Sequence, residues 1–109
     1  ADLALIVAEP TVAGVHDMSR ALQTVGHFGV QALVCINKAD IYPEGAREIE
    51  SFCSGCGIQT VGRIPFDVTV ASAMVQGEPV TAYHPEAPAS VAIAIIWERV
   101  LESLFEREV

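Results

Sequence analysis

Positive charge is scarce in this sequence of 109 residues. Fourteen acidic residues face six basic ones, the net charge is −8, and there is a single lysine, Lys38. A nucleic-acid-binding protein clusters its lysines and arginines where they contact phosphates, and a membrane-surface helix carries a basic face. We therefore expect neither nucleic acid nor a membrane among the partners of this chain.

Long apolar runs and paired cysteines are lacking as well. No run reaches the roughly 18 residues of a membrane-spanning helix, and no basic segment precedes an apolar one as it does in a signal peptide. The three cysteines, Cys35, Cys53 and Cys56, are an odd number, which argues against a secreted disulfide scaffold. We expect a cytoplasmic location.

The apolar residues, 51% of the chain, form two alternating patterns. Short continuous runs predict three buried strands, at residues 3–8, 30–36 and 58–64. Apolar residues recur at helical spacing in four segments, 13–28, 43–55, 68–75 and 89–106, with an irregular loop over 76–88. This alternation predicts an α/β fold in three layers, with a short parallel sheet of about three strands and flanking helices.

The last helical segment has an acidic polar face, which anionic lipid would repel. We therefore expect it to pack onto the sheet rather than onto a membrane. The expected apolar stripe consists of Ile93, Ile96, Trp97, Val100, Leu101, Leu104 and Phe105.

A polar string, Asn37-Lys38-Ala39-Asp40, directly follows the second strand. Ligands bind beyond the carboxyl ends of the strands in open parallel sheets. The pattern N-K-x-D matches the base-reading motif of P-loop GTPases, in which the carboxylate accepts hydrogen bonds from N1 and N2 of guanine. The structural alternative is a polar turn in which Asp40 makes an Asx-turn.

Several further segments make the chain similar to a known family. Residues 7–17, 27–30, 35–40, 62–67 and 74–80 resemble, in order, MinD/ParA/Mrp-like P-loop ATPases, and in particular the MinD-superfamily members that carry an inserted ferredoxin domain. The resemblance covers nearly the whole chain. It implies that residues 1–109 are the C-terminal half of one nucleotide-binding domain, cut from a longer protein.

The resemblance also implies a binding site for the base of ATP. Asn37 would meet the base beside Lys38 and Asp40, and the loop of Pro65, Phe66 and Asp67 would close over its other side. The implied cofactor is ATP, with Mg²⁺ in the full-length protein, and the implied assembly is a homodimer of that protein. An iron–sulfur cluster would belong to the ferredoxin insertion, which lies outside these residues.

The phosphate-binding half of such a site has no counterpart in the sequence. A P-loop needs Gly-Lys followed by Ser or Thr, but the only lysine here follows Asn37. The acidic Walker B position is missing too. The parent protein is expected to be an ATPase, and this chain alone is not expected to hydrolyse ATP.

Two alternative functions remain open from the residues. Cys53 and Cys56 form a CxxC that would supply two of four cluster ligands, so a dimer would make an iron–sulfur scaffold or docking module. We favour a structural interpretation, with one buried cysteine and one at a helix end. A GTPase half-domain is the other alternative, because Asp40 completes the guanine motif, although the resemblance favours ATP.

Overall fold

The computed structural model describes residues 3–108, which form a parallel sheet flanked by helices. The strands are β1 (Leu3–Ala8), β2 (Gln31–Asn37) and β3 (Gln59–Ile64). The helices are α1 (Val12–His27), α2 (Pro43–Gly55), α3 (Val68–Val75), α4 (Val80–Tyr83) and α5 (Pro88–Glu108). Within these residues the strand order is β1-β2-β3 and both pairings are parallel. The α/β fold expected from the alternation is confirmed.

Local sequence explains where the first helices begin and end. The hydroxyl of Thr11 caps α1 by accepting a hydrogen bond from the Gly14 N–H at 3.0 Å. Gly29, just beyond α1, has a φ of 67°, a left-handed conformation that glycine adopts without strain. Pro43 occupies the first turn of α2, where its missing N–H costs nothing.

The two faces of β2 carry two separate cores. On one face, Val34 and Ile36 pack against α1 and α2, where they join Ile49 of α2 in one core. Leu33 and Cys35 point to the opposite face and pack against α5. Because successive side chains of a strand alternate between faces, this arrangement requires helices on both sides of the sheet, and the three-layer expectation is confirmed.

Two expectations about the second half of the chain were wrong in part. The loop expected over 76–88 contains the short helix α4, whose Val80 is buried; a four-residue helix is too short to show periodicity. In the expected apolar stripe of α5, Ile96 and Val100 are buried, but Trp97 and Phe105 are 57% and 62% exposed. In the described residues α5 packs chiefly on β3, so one side of the stripe reaches no partner.

β1 lies at one edge of the sheet and pairs only with β2 in the described range. Its residues Leu5 and Val7 lie in register with Leu33 and Cys35, on the face that α5 covers elsewhere. Among residues 3–108 no helix covers this part of β1 in the same way, and Leu5 is 40% and Val7 57% exposed.

Among residues 3–108, no helix combines the length and the apolar character needed to cross a membrane.

Candidate functional site

A cavity of about 280 Å³ opens at the carboxyl ends of β2 and β3. Parallel strands end at the same edge of a sheet, so the two polar loops that follow β2 and β3 meet there. Five of the six residues expected at the site line this cavity: Asn37, Lys38, Pro65, Phe66 and Asp67. The sixth, Asp40, is not among the lining residues.

Asn37 is the last residue of β2 and is half-buried. Its Oδ1 accepts a hydrogen bond from the backbone N–H of Lys38 at 3.0 Å. This bond fixes which end of the amide faces its own backbone and so orients the side chain at the cavity wall. An amide held in this way still offers the two N–H donors of its nitrogen and one acceptor position on its oxygen to a ligand.

Lys38 is held in an uncommon conformation beside the cavity. Its φ of 54° lies in the left-handed region, which costs a non-glycine residue about 1–2 kcal/mol. Its Nζ lies 3.3 Å from Oε1 of Glu9, in the loop after β1. Both side chains are nearly half exposed, so the ion pair contributes at most about 1 kcal/mol. Its effect is to direct the lysine toward β1.

Asp40 connects the two loops of the site. Its Oδ1 accepts a hydrogen bond from the backbone N–H of Phe66 at 2.8 Å. A second bond joins the same loops, because Ala39 N–H donates to the carbonyl of Ile64 at 3.2 Å. The carboxylate is thus engaged by protein backbone, 26 residues away in the chain.

The carboxylate of Asp67 also accepts hydrogen bonds from protein backbone. It caps α3, with Oδ1 accepting from Thr69 N–H at 2.9 Å and Oδ2 accepting from Ala89 N–H at 3.1 Å. These bonds, that from Ala89 foremost, lower the pKa of the Asp67 carboxyl from its ordinary value. Asp67 therefore ties the start of α3 to the start of α5, beside the cavity.

The remaining wall of the cavity is apolar and belongs to α3. Phe66 is 51% exposed at the entrance. Four residues of α3 that were not expected at the site complete the wall: Val68, Val70, Ala71 and Met74. Spacings of three and four in a helix place residues on one face, and this regularity would have indicated them. A flat aromatic ligand would find apolar surface here and polar groups at Asn37.

A second depression, of about 360 Å³, runs along the free edge of β1. Ile6 and Val7 point to opposite faces of the strand, yet both line it, together with Glu9 and Asp17. The depression lies between the end of β1 and the first half of α1, at the free edge of the sheet.

The cysteines occupy the positions that the structural interpretation expected. Cys53 is fully buried in the core between the sheet and α2, and burial raises the pKa of its thiol. Cys56 is exposed at the C-cap of α2. Cys35 is buried in the core against α5, where burial likewise raises the pKa of its thiol. In the part of the chain that is described, no three His, Cys, Asp or Glu side chains form a metal-binding group.

Comparisons with known proteins give one sequence relative and several similar structures. No protein-family model matches the chain. The iron–sulfur cluster carrier protein of Aquifex aeolicus (strain VF5) is 26% identical over 113 residues, an alignment that covers 92% of this chain and 31% of the relative.

The similar structures are of MinD proteins. The MinD cell division protein of Aquifex aeolicus matches with a TM-score of 0.75 at 25% identity, and its structure in a MinC:MinD complex with 0.74 at 26%. The cell division ATPase MinD of Pyrococcus furiosus matches with 0.76 at 19% identity, a likeness of fold. Each match covers 94% of this chain and 43–44% of the other. The chain spans less than half the length of these proteins, and the expected resemblance to MinD/Mrp-like ATPases is confirmed in sequence and in fold.

Proposed function

We propose that this chain is the base-side, C-terminal part of an ATP-binding domain in a MinD/Mrp-like ATPase. The observation that carries the proposal is the cavity between the loops after β2 and β3, which Asn37 and Phe66 line from two sides. Its volume of about 280 Å³ lies just below the roughly 300–1,000 Å³ of complete small-molecule sites. It suits a nucleotide base better than a whole nucleotide.

The described residues do not fit the phosphates or Mg²⁺. The one lysine of the sequence, Lys38, pairs with Glu9, and no Gly-Lys-Ser/Thr string exists to cradle phosphate. The phosphate-binding loop would come from a preceding half of the same domain. The free edge of β1 and the share of its relatives that the chain spans support this division.

The proposal extends to the parent protein from which this chain would come. The parent protein is an ATPase that binds ATP with Mg²⁺, works as a homodimer in the cytoplasm, and carries an inserted ferredoxin domain. One sequence relative is named an iron–sulfur cluster carrier, which supports a setting of iron–sulfur chemistry for the parent.

Nucleotide binding by the 109-residue chain tests the proposal. Adenosine and ATP should bind with similar, weak affinity, because both present the same base and the chain lacks a phosphate loop. Asn37 is the only asparagine in the sequence, so its side-chain amide gives a unique NMR signal that should shift on binding. ATP binding much more tightly than adenosine would show that the chain holds phosphates itself.

The matched variants are Asn37→Ala and Gln31→Ala. Both residues lie on β2, at its carboxyl and amino ends respectively. In the full-length protein Asn37→Ala should weaken nucleotide binding by about 1–3 kcal/mol, or about 5- to 150-fold, through an unpaired base edge. Gln31→Ala should leave affinity unchanged. Equal affinities in the two variants would contradict the assignment of Asn37.

The iron–sulfur scaffold is a second candidate, favoured by the carrier protein among the relatives and by the CxxC. Burial of Cys53 opposes it, because the thiol would have to leave the core to share a cluster with a partner chain. Measuring the iron content of the protein purified without oxygen decides whether the chain is such a scaffold. Iron that disappears in the Cys53→Ser, Cys56→Ser double variant would support the scaffold; equal metal content in both proteins would exclude it.

A further inference from the structure

Asp40 is the one expected site residue whose position in the structure differs from the role that its sequence motif suggests. In an N-K-x-D string the carboxylate is expected to face a guanine base. Here its Oδ1 accepts the backbone N–H of Phe66 at 2.8 Å, and Asp40 is absent from the cavity lining. The group that would read guanine is thus bound to the opposite loop of the site.

The sequence of that opposite loop explains why it needs an acceptor. Pro65 has no N–H, so Phe66 supplies the first backbone donor after β3. The preceding carbonyl, of Ile64, already accepts Ala39 N–H at 3.2 Å. Asp40, three residues beyond β2, adds a second bond to Phe66, two residues beyond β3, so that two neighbouring bonds clamp the loops together.

The clamp determines where the aromatic wall of the cavity stands. The Phe66 side chain is 51% exposed, so packing alone restrains it little. Its backbone is fixed at Phe66 N by Asp40 and one residue later by the cap that Asp67 forms on α3. Loss of the Asp40 bond would free the loop on the side that faces Asn37.

The same arrangement bears on which base the cavity accepts. Guanine presents two donors, N1–H and N2–H, that a carboxylate would satisfy, whereas adenine presents an acceptor at N1 and a donor at N6. On the β2 side of the cavity the Asn37 amide, beside Lys38, can donate to N1 and accept from N6. With Asp40 bound to the Phe66 loop and both Asp67 oxygens accepting backbone N–H groups, neither carboxylate of the site is directed to read guanine.

We infer that Asp40 is a positioning residue that holds the Phe66 loop as a wall for adenine, and that it does not read the base. This inference rests on the proposed function for its ligand, but the clamp itself can be measured without any ligand. Asp40→Ala removes the acceptor. Asp40→Asn keeps an oxygen at the same place while removing the charge, so it separates positioning from guanine reading.

The first measurement is amide hydrogen exchange at Phe66 in the free 109-residue chain. Asp40→Ala should accelerate exchange about tenfold, as expected for loss of one hydrogen bond, while Asp40→Asn stays within about twofold of the wild type. Glu44→Gln, an exposed carboxylate at the start of α2, is the control for charge. Unchanged exchange in Asp40→Ala would overturn the inference.

The second measurement is the affinity of the same variants for adenosine and for guanosine. Adenosine should bind better than guanosine, Asp40→Ala should weaken adenosine about fivefold or more, and Asp40→Asn should behave like the wild type. Guanosine binding that Asp40→Asn abolishes would identify a base reader and refute the inference while leaving nucleotide binding intact. If neither nucleoside binds, the proposed function and the adenine preference fail together, and hydrogen exchange still decides the clamp.

Discussion

Gly14 allows the loop after β1 to approach α1, and we expect alanine there to be strongly destabilising. A Cβ at Gly14 would lie 2.1 Å from the carbonyl oxygen of Glu9. Ordinary carbon–oxygen contacts are no closer than about 3.3 Å, so the backbone would have to shift by about 1.2 Å. The obstructing atom is backbone, and it cannot rotate away as a side chain would.

The magnitude follows from two opposing effects. Overpacking of this kind costs about 1–3 kcal/mol, while replacing a helical glycine by alanine returns up to about 1 kcal/mol. We expect a net loss of about 1–2 kcal/mol in the free energy of unfolding. Gly26 lies in the same helix, and its Cβ would meet nothing within 4 Å. Gly26→Ala should therefore stabilise by about 0.5–1 kcal/mol.

Urea denaturation of the two variants provides the assay, with unchanged slopes as evidence that the midpoints report stability. The discriminating result is that the free energy of unfolding falls in Gly14→Ala and rises in Gly26→Ala, two variants of the same helix. Stabilisation by Gly14→Ala comparable to that by Gly26→Ala would refute the close approach of Glu9. It would also remove the support for the position of Glu9 opposite Lys38.

Two further predictions concern the polar residues of the site. Hydrogen bonds hold the pKa of the Asp67 carboxyl below its ordinary value of 3.8. The stability that this carboxylate contributes is therefore present above pH 3.8 and is lost as the pH falls through the folded pKa. In an acid titration, Asp67→Asn should lose less free energy of unfolding than the wild type. Lys38→Gly relieves a left-handed φ of 54° and should exceed Lys38→Ala in stability by about 1 kcal/mol, and equal unfolding midpoints would contradict this.

The meeting of Asn37 with Phe66 could be predicted from sequence because it follows from one rule. Both residues come at or just after the ends of strands, and neighbouring parallel strands end together. The bond from Phe66 to Asp40 could not be predicted, because it depends on the register of β2 and β3, which shifts at an irregularity between Val34 and Cys35. Hydrophobic pattern determines the face of a strand, but it does not determine such a shift.

The exposure of Trp97 was unpredictable for a different reason. Helical periodicity shows that Trp97 shares the apolar side of α5 with Ile96 and Val100, but the width of the sheet decides how much of that side is covered. In the described residues three strands lie under the helices, so Ile96 is buried while Trp97 is 57% exposed. The sequence predicts that this side of α5 is apolar, but it does not predict how much of that side the sheet covers.

The unpaired edge of β1 leads to the last prediction, that the 109-residue chain associates with itself. In the described residues its outer N–H and C=O groups face no strand, and Val7 beside them is 57% exposed. An apolar edge of this kind pairs with another chain, and a net charge of −8 opposes association without covering the edge. Val7→Lys should abolish association, because a lysine on an exposed edge strand opposes its pairing with another chain.

Sedimentation velocity at micromolar concentration measures the effect. Val75→Lys is the control, since Val75 is 84% exposed at the end of α3, away from β1. The wild type and Val75→Lys should sediment as dimers or larger species, and Val7→Lys as a monomer. A wild-type chain that remains monomeric would contradict this prediction and would weaken the structural case for a missing half of the domain.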